Sequence, residues 1–303
     1  MAIQSSGAIS IQDIVDEFGG STPHSLSEYY RGGSEVGSNN TNVPTSGEIS
    51  LSDFYGAIDE IVIAASNGDT NINLSSLFGS NFTAAVPKRF TIASGHEIGA
   101  TSRTTYAINV PSGMGGTLTI QNAGTISGGG GTGGTGGASG ANHGTAGGSA
   151  IYIASNNVTI TNTGTIRGGG GGGGGGNNGA AGQNGFIGGS GNLNCFGGAG
   201  GAGGDGGNGQ GYNSPATNGQ AGAAGGSRFS VPQYQGGNHP FCEIGDPKYQ
   251  DGQAGGNGGN GGSFGNAGSN GDGNGGAAGK YIELNSGISL ANTPSGTLQG
   301  TAP

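Results

Sequence analysis

Nine glycines in succession, 168–176, follow the strand-like phrase Val158-Thr-Ile-Thr-Asn-Thr-Gly-Thr-Ile166. Glycine loses more backbone entropy on ordering than any other residue, so such a run is either a flexible linker or a place where side chains must be absent. The other glycine-rich stretches favour the second reading. The stretches 128–137, 197–209 and 255–263 carry their larger residue at every third position. A period of three matches the extended left-handed helix with three residues per turn, which rises about 3.1 Å per residue and has no internal hydrogen bonds. Its N–H and C=O groups point sideways and are satisfied by a second such helix, provided no side chain holds the two backbones apart. Two glycines in three meet that condition on two edges. The third edge, with Thr132, Thr135, Ala199, Ala202, Asp205, Asn208, Asn257 and Asn260, faces solvent or another layer. The expectation is a bundle of packed polyglycine II helices. Collagen is the less favoured reading, because these runs contain no proline and lack a strict Gly-X-Y repeat.

With 78 glycines in 303 residues and no tryptophan, the chain has too little apolar volume for an ordinary core of its length. Order therefore has to come from backbone pairing or assembly. A formal net charge of −9 with only 8 Lys and Arg argues against nucleic acid as a partner. The opening Met1-Ala-Ile-Gln-Ser-Ser-Gly-Ala-Ile-Ser10 has neither the basic nor the apolar region of an export signal, and no stretch approaches a membrane span. Synthesis in the cytoplasm is the expectation. Two cysteines, Cys195 and Cys242, allow at most one disulfide, and the spacings of a zinc site are missing.

Residues 1–58 hold three copies of one device: Ile11-Gln-Asp-Ile-Val15, Leu26-Ser-Glu-Tyr-Tyr30 and Leu51-Ser-Asp-Phe-Tyr55. A serine stands three residues before an acid each time (Ser10 and Asp13, Ser25 and Glu28, Ser50 and Asp53), the spacing of a capping box. The spacing predicts three helices of one or two turns, closed by Gly19, Gly32 and Gly56. Helices this short are marginal alone, so the paired aromatics Tyr29, Tyr30, Phe54 and Tyr55 either pack on one another or dock onto another component.

Residues 59–126 read as a small β domain of short alternating strands, Glu60–Ala65, Phe90–Ile92, Tyr106–Val110 and Thr117–Ile120. Its phrases return inside 127–303. Ala107-Ile-Asn-Val-Pro-Ser and Leu118-Thr-Ile-Gln-Asn-Ala-Gly-Thr-Ile126 are echoed by Ala150-Ile-Tyr-Ile-Ala-Ser and by 158–166. A fainter echo is Tyr281-Ile-Glu-Leu-Asn-Ser with Ser295-Gly-Thr-Leu-Gln-Gly300. Repeated strands that each feed a glycine run imply one platform from which the runs rise. The predicted fold class is thus mostly β and irregular: short N-terminal helices, a β platform and a polyglycine bundle with long tip loops.

Strands ending Asn-x-Gly-Thr-Ile, followed by long glycine runs with unrelated loops between them, resemble the glycine-rich distal tail-fibre adhesins of T-even-like bacteriophages, over about residues 105–300. The resemblance implies a small virion protein at the fibre tip, with an N-terminal attachment domain and a polyglycine bundle whose loops bind outer-membrane receptors. The N-terminal Ser-Gly-x-Ile-Ser-[IL]-x-Asp phrase, with Glu-Phe-Gly-Gly and Tyr-Tyr-Arg-Gly-Gly, is instead similar to a segment recurring in virion proteins of marine phages.

Counting reversals locates the candidate surface. If 168–176 runs outward, 197–211 returns, Tyr212 to Asn218 turns at the platform and 219–226 runs outward again, then the inserts 177–196 and 227–251 meet at one tip. They carry Phe186, Ile187, Leu193, Phe196, Phe229, Tyr234, Phe241 and Tyr249, a contact surface in an otherwise apolar-poor chain. The same parity brings Cys195 and Cys242 to one end, where they either form a disulfide or stay reduced. No cofactor is called for, since glycine-rich nucleotide fingerprints arise by chance here and no P-loop lysine or calcium β-roll pattern accompanies them. Glu243, Asp246 and Asp251 with His239 are the nearest approach to a hydrolase site, and three acids on a polar loop are commonly solvated charges. The leading function is a receptor-binding adhesin that docks through its N-terminus on tail proteins or sister copies and binds a host outer-membrane protein or surface glycan through its loops. The alternatives are a structural virion component (baseplate, fibre-connecting or decoration protein) and a depolymerase.

Overall fold

The structure, a computed structural model, describes residues 3–37, 40–137, 142–182, 185–187, 193–196, 198–226, 229–230 and 251–303. It is mostly strand and irregular backbone, with two short α-helices, α1 (Ile11–Phe18) and α2 (Leu74–Phe78). Twelve of the described strands between residues 61 and 299 wind into one three-faced stack of parallel strands. The first face is β1 (Ile61–Ala64), β3 (Lys88–Ile92), β6 (Leu118–Asn122) and β9 (Val158–Asn162), side by side in that order. The second face joins β4 (Glu97–Gly99), β7 (Thr125–Ser127), β10 (Thr165–Arg167) and β15 (Thr297–Gln299), and the third joins β2 (Ile72–Asn73), β5 (Ile108–Val110), β8 (Ile151–Ile153) and β14 (Ile282–Leu284). Each of the three complete circuits, β3-β4-β5, β6-β7-β8 and β9-β10-β14, lays one strand on every face.

The in-out alternation of each strand explains why so few aliphatics suffice. Equivalent positions stack in register, so one buried side chain per strand builds a continuous ladder: Phe90, Ile120 and Ile160 on the first face, Ile98, Ile126 and Ile166 on the second, Ile108, Ile151 and Ile282 on the third. Together they form one apolar core. Leu74, Phe78 and Phe82, from α2 and the 3-10 turn behind it (Gly79–Phe82), join that core near its N-terminal end.

The repeated Asn-x-Gly-Thr-Ile phrase marks the corner between the first and second faces. Asn122 and Asn162 are buried, and the amide of Asn122 donates to the side-chain oxygen of Asn162 at 2.7 Å while its own oxygen accepts the Gly124 N–H at 3.1 Å. An asparagine can donate and accept at once, so it satisfies the main chain of its own turn and links to the next circuit. Glycine is obligatory two residues on, because a Cβ on Gly164 would lie 2.0 Å from the Gly124 carbonyl oxygen. Lys88 is also buried. Burial lowers its pKa, and its ammonium donates to the carbonyls of Ala84, Val86 and Gly115 at 2.7–2.9 Å.

Residues 3–57 form a separate apolar cluster of Ile3, Ile14, Phe18, Tyr29, Val36, Val43, Phe54 and Ala57. All three capping boxes form as the spacing predicts. The helices they open differ from one another: the first is α1, the other two are 3-10 turns, Leu26–Tyr29 and Leu51–Phe54. Gly19 is the cap of α1, whereas Tyr30 and Tyr55 close the others and Gly32 and Gly56 follow with positive φ. No helix among the described residues is long and apolar enough to cross a membrane.

Both glycine-rich excursions leave the stack at the same corner. One runs from β7 to β8, the other from β10 to β14. They contain eight passes that are neither α-helix nor β-strand: 128–137, 142–150, 168–182, 198–211, 217–226, 252–263, 266–272 and 273–280. Successive passes run in opposite directions, and a given pair is hydrogen-bonded at every third residue.

Candidate functional site

The site is built outward from 168–176. Every N–H and every C=O of these nine glycines is hydrogen-bonded to main chain. Their N–H groups donate in rotation to 142–148, 204–210 and 266–269, beginning at Gly169, Gly170 and Gly171, and their carbonyls accept in rotation from 131–137, 259–262 and 273–279. The run is therefore enclosed by six other passes, and all nine residues are buried. A Cβ on Gly170, Gly171 or Gly172 would lie 2.0, 1.9 or 2.0 Å from the carbonyl oxygen of a different pass. Every edge is occupied, so no position can carry a side chain. In the flanking passes one edge points outward, and Thr132, Thr135, Ala199, Ala202, Asn208, Asn257 and Asn260 are exposed there, with Asp205 half-buried. The asparagines and the aspartate among them cap outward N–H groups. Asn208 accepts from Gly133, Asp205 from Gly136, Asn260 from Gly219 and Asn257 from Gly222, at 2.6–3.0 Å. Asparagine, aspartate and threonine recur on the third edge because they can serve as such acceptors, which alanine cannot.

At the stack end, the turns are pinned by aromatics. Tyr212 lies on Gly99, where a Cβ would come within 2.0 Å of the ring. The guanidinium of Arg167 stacks 3.8 Å from the centre of the Phe264 ring, and the same group bonds Glu97 and Ser127 at 2.8 Å. That network ties the 263–266 turn to three strands of the second face. Sequence reading placed Tyr212 at this end but assigned nothing to Phe264 or Arg167, since their partners are distant along the chain.

At the opposite end, passes 168–182, 198–211, 217–226 and 252–263 begin or finish together. Gly182 donates to Gly198 at 2.8 Å, Gly226 to Ala199 at 2.6 Å and Gly252 to Gly226 at 2.9 Å. Both long inserts spring from this junction. Their described parts pair as a three-stranded antiparallel sheet of β11 (Gly185–Ile187), β12 (Leu193–Phe196) and β13 (Phe229–Ser230). Phe186 lies opposite Asn194, Ile187 opposite Leu193, Cys195 opposite both Gly185 and Ser230, and Phe196 opposite Phe229. Five of the eight candidate contact residues thus belong to one small sheet shared by the two inserts. Tyr234, Phe241 and Tyr249 lie outside the described residues, as do Cys242, Glu243, Asp246 and His239, so the disulfide and the carboxylate cluster have no described geometry.

The candidate docking aromatics divide into two kinds. Tyr29 and Phe54 are fully buried and edge-on to each other, with ring centres 6.3 Å apart, and the Tyr29 hydroxyl donates to the Gly19 carbonyl at 2.7 Å. Desolvation, with the charges of Glu28 and Glu35, raises the Tyr29 pKa. Tyr30 and Tyr55 are half-buried, their hydroxyls donating to the carbonyls of Gly47 and Gly7. No group of three or more His, Cys, Asp or Glu among the described residues is arranged to hold a metal ion.

No curated protein matches the chain. Among solved structures, the crystal structure of the gp37-gp38 adhesin tip complex of the bacteriophage S16 long tail fiber is similar, at 22% identity over 97% of this chain and 99% of that one, with a TM-score of 0.43. The family model of phage tail fibre adhesin Gp38 matches residues 60–303, which begin one residue before β1 and include the whole strand stack and every glycine pass. The chain belongs to the phage tail fibre adhesin Gp38 family.

Proposed function

We propose that this adhesin, a component of the virion, contacts its receptor through the far end of the glycine passes, with the inserts 183–197 and 227–251 as the contact surface. The observation that supports the reading is the register of passes 168–182, 198–211, 217–226 and 252–263, which opens both inserts at one junction and joins them in the β11–β12–β13 sheet. Phe186, Ile187, Leu193, Phe196 and Phe229, with Tyr234, Phe241 and Tyr249, are the proposed contact residues, and the ligand is a host outer-membrane protein or surface glycan, bound rather than cleaved. In the same reading the passes are polyglycine II helices. Pairing at every third residue and exclusion of Cβ on all edges of 168–176 are what that conformation requires. Such a bundle presents the loops on a support that loop sequence does not disturb.

Residues 1–58 are the proposed attachment segment. They lie outside the family match and have a core of their own. Between residues 3 and 59 there are eight acids and one arginine, so a fibre component that receives them presents a basic surface, with Tyr30 and Tyr55 at the contact.

The test is adsorption. Phages carrying Phe241→Ala or Tyr234→Ala, and phages in which 183–197 and 227–251 are replaced together by loops of a related adhesin (177–182, expected from the sequence to belong to the first loop, being part of pass 168–182), are scored for particle assembly and host range. Normal assembly with lost adsorption in the point variants, and altered host range in the exchange, are the expected results. Wild-type adsorption after both loops are replaced refutes the assignment.

A further inference from the structure

The glycine passes are rich in a chemically fragile pair. Asn-Gly occurs at 67–68, 178–179, 208–209, 218–219, 257–258, 260–261, 270–271 and 274–275 among the described residues. In a flexible chain this pair cyclises readily, because the glycine nitrogen meets no side chain on its way to the asparagine carboxamide. The glycine N–H loses its proton to hydroxide, and its nitrogen bonds to Cγ. The Cγ–Nδ2 bond breaks and ammonia leaves. Water then opens the five-membered imide at either carbonyl, giving aspartate or isoaspartate. Both early steps need a glycine N–H that is free and a carboxamide that can turn toward it.

The structure withholds both to different degrees. The glycine N–H donates a hydrogen bond at all eight sites. At 68, 179, 209, 258, 261 and 271 the acceptor is a main-chain carbonyl, at 2.8–3.0 Å. At 219 and 275 it is only a side-chain amide, Asn260 for Gly219 and Asn270 for Gly275. The carboxamides follow the same division. Those of Asn67, Asn178, Asn208, Asn257, Asn260 and Asn270 each accept an N–H from elsewhere in the chain. Those of Asn218 and Asn274 make no hydrogen bond to any described residue, and both residues are exposed.

We propose that the packed passes keep six of these eight Asn-Gly bonds inert and leave two, Asn218-Gly219 and Asn274-Gly275, as the ones among them that deamidate in the native protein. The consequence is mechanical. Isoaspartate diverts the main chain through the side-chain methylene, and a pass that pairs at every third residue is thrown out of register beyond that point. Asn218 stands at the start of pass 217–226, which leads directly into insert 227–251. Chemical ageing therefore loosens the support of that insert first.

The experiment incubates the full native chain at mildly alkaline pH and follows each site by peptide mapping with mass spectrometry, beside a sample held in denaturant. In denaturant all eight sites convert at similar rates. In the native protein, 218 and 274 convert on the order of tenfold faster than 208, 257 and 260. Asn260→Ala, an exposed substitution that removes the acceptor of the Gly219 N–H, speeds conversion at 218 and leaves 208 unchanged. Equal native rates at all eight sites overturn the proposal, as does an Asn218 rate indifferent to Asn260→Ala. The readout is mass at a named residue, so it is independent of whether the inserts bind receptor.

Discussion

Gly172→Ala adds one methyl group at the middle of the enclosed run, and the structure sets the size of its effect. The new Cβ would stand 2.0 Å from the Thr132 carbonyl oxygen and 2.3 Å from its carbon. Ordinary contact begins at 3.4 Å, so pass 128–137 has to retreat by about 1.4 Å. The bonds from Gly131 to Gly170 and from Gly134 to Gly173 are 2.8 Å each, and that displacement carries both beyond bonding distance. Losing a buried hydrogen bond of this kind costs about 1–3 kcal/mol, so losing the two destabilises by about 2–6 kcal/mol. Alanine also restricts the unfolded chain, which returns about 0.4–1 kcal/mol and leaves the steric term dominant. For a chain of this size the net corresponds to a fall in melting temperature of roughly 5–15 °C. Differential scanning calorimetry compares it with Ala202→Ser on the exposed edge, expected within about 0.5 kcal/mol of wild type. Amide exchange should accelerate in 168–176 of the Gly172→Ala protein. A Gly172→Ala protein that melts with the wild type, with unchanged exchange in that run, refutes the enclosed-run argument.

Two further outcomes follow from the stack and the N-terminal cluster. Asn122→Ala leaves the Gly124 N–H and the Asn162 side-chain oxygen without partners in a buried corner, so urea unfolding should give a midpoint lower by the equivalent of about 2–4 kcal/mol at constant slope; a change below about 0.5 kcal/mol would remove the corner's assigned role. The Ser10 hydroxyl, and then its N–H, hydrogen-bond the Asp13 carboxylate and lower its pKa from 3.8, so this contribution is complete above the unfolded value and disappears as pH falls through the folded one. Acidification below about pH 4 should therefore loosen α1, read as faster amide exchange in 11–18, and Asp13→Asn should already be loose at neutral pH and insensitive to that step.

Much of the fold was legible because glycine and the capping boxes act locally. The Ser-x-x-acid spacing names a helix start without reference to anything distant, and all three starts stand where that spacing puts them. Which copy lengthens into α1 and which stop as 3-10 turns was not legible, because so short a helix takes its length from what it packs against. The echoed phrases at 118–126 and 158–166 identified stacked strands, but not that Phe90 to Gly99 is the same circuit one level down. There Ile92 fills the place that asparagine holds in β6 and β9, and the corner phrase is lost. The eight aromatics of the inserts were readable only as a composition. Five share a sheet because main-chain pairing joins 193–196 to 185–187 on one side and to 229–230 on the other, an arrangement no local pattern encodes.

The sequence by itself determined the three-residue period of the flanking glycine segments and so favoured order over a flexible linker, since a repeat of that length leaves two edges bare for backbone pairing. Only the tertiary structure decided why one segment dispenses with its third residue altogether. The number of neighbours around a segment is a property of the assembly and not of the segment. Passes at the rim have an open edge that admits Thr, Ala, Asn or Asp, while 168–176 is enclosed by six passes and meets backbone in every direction a side chain could take.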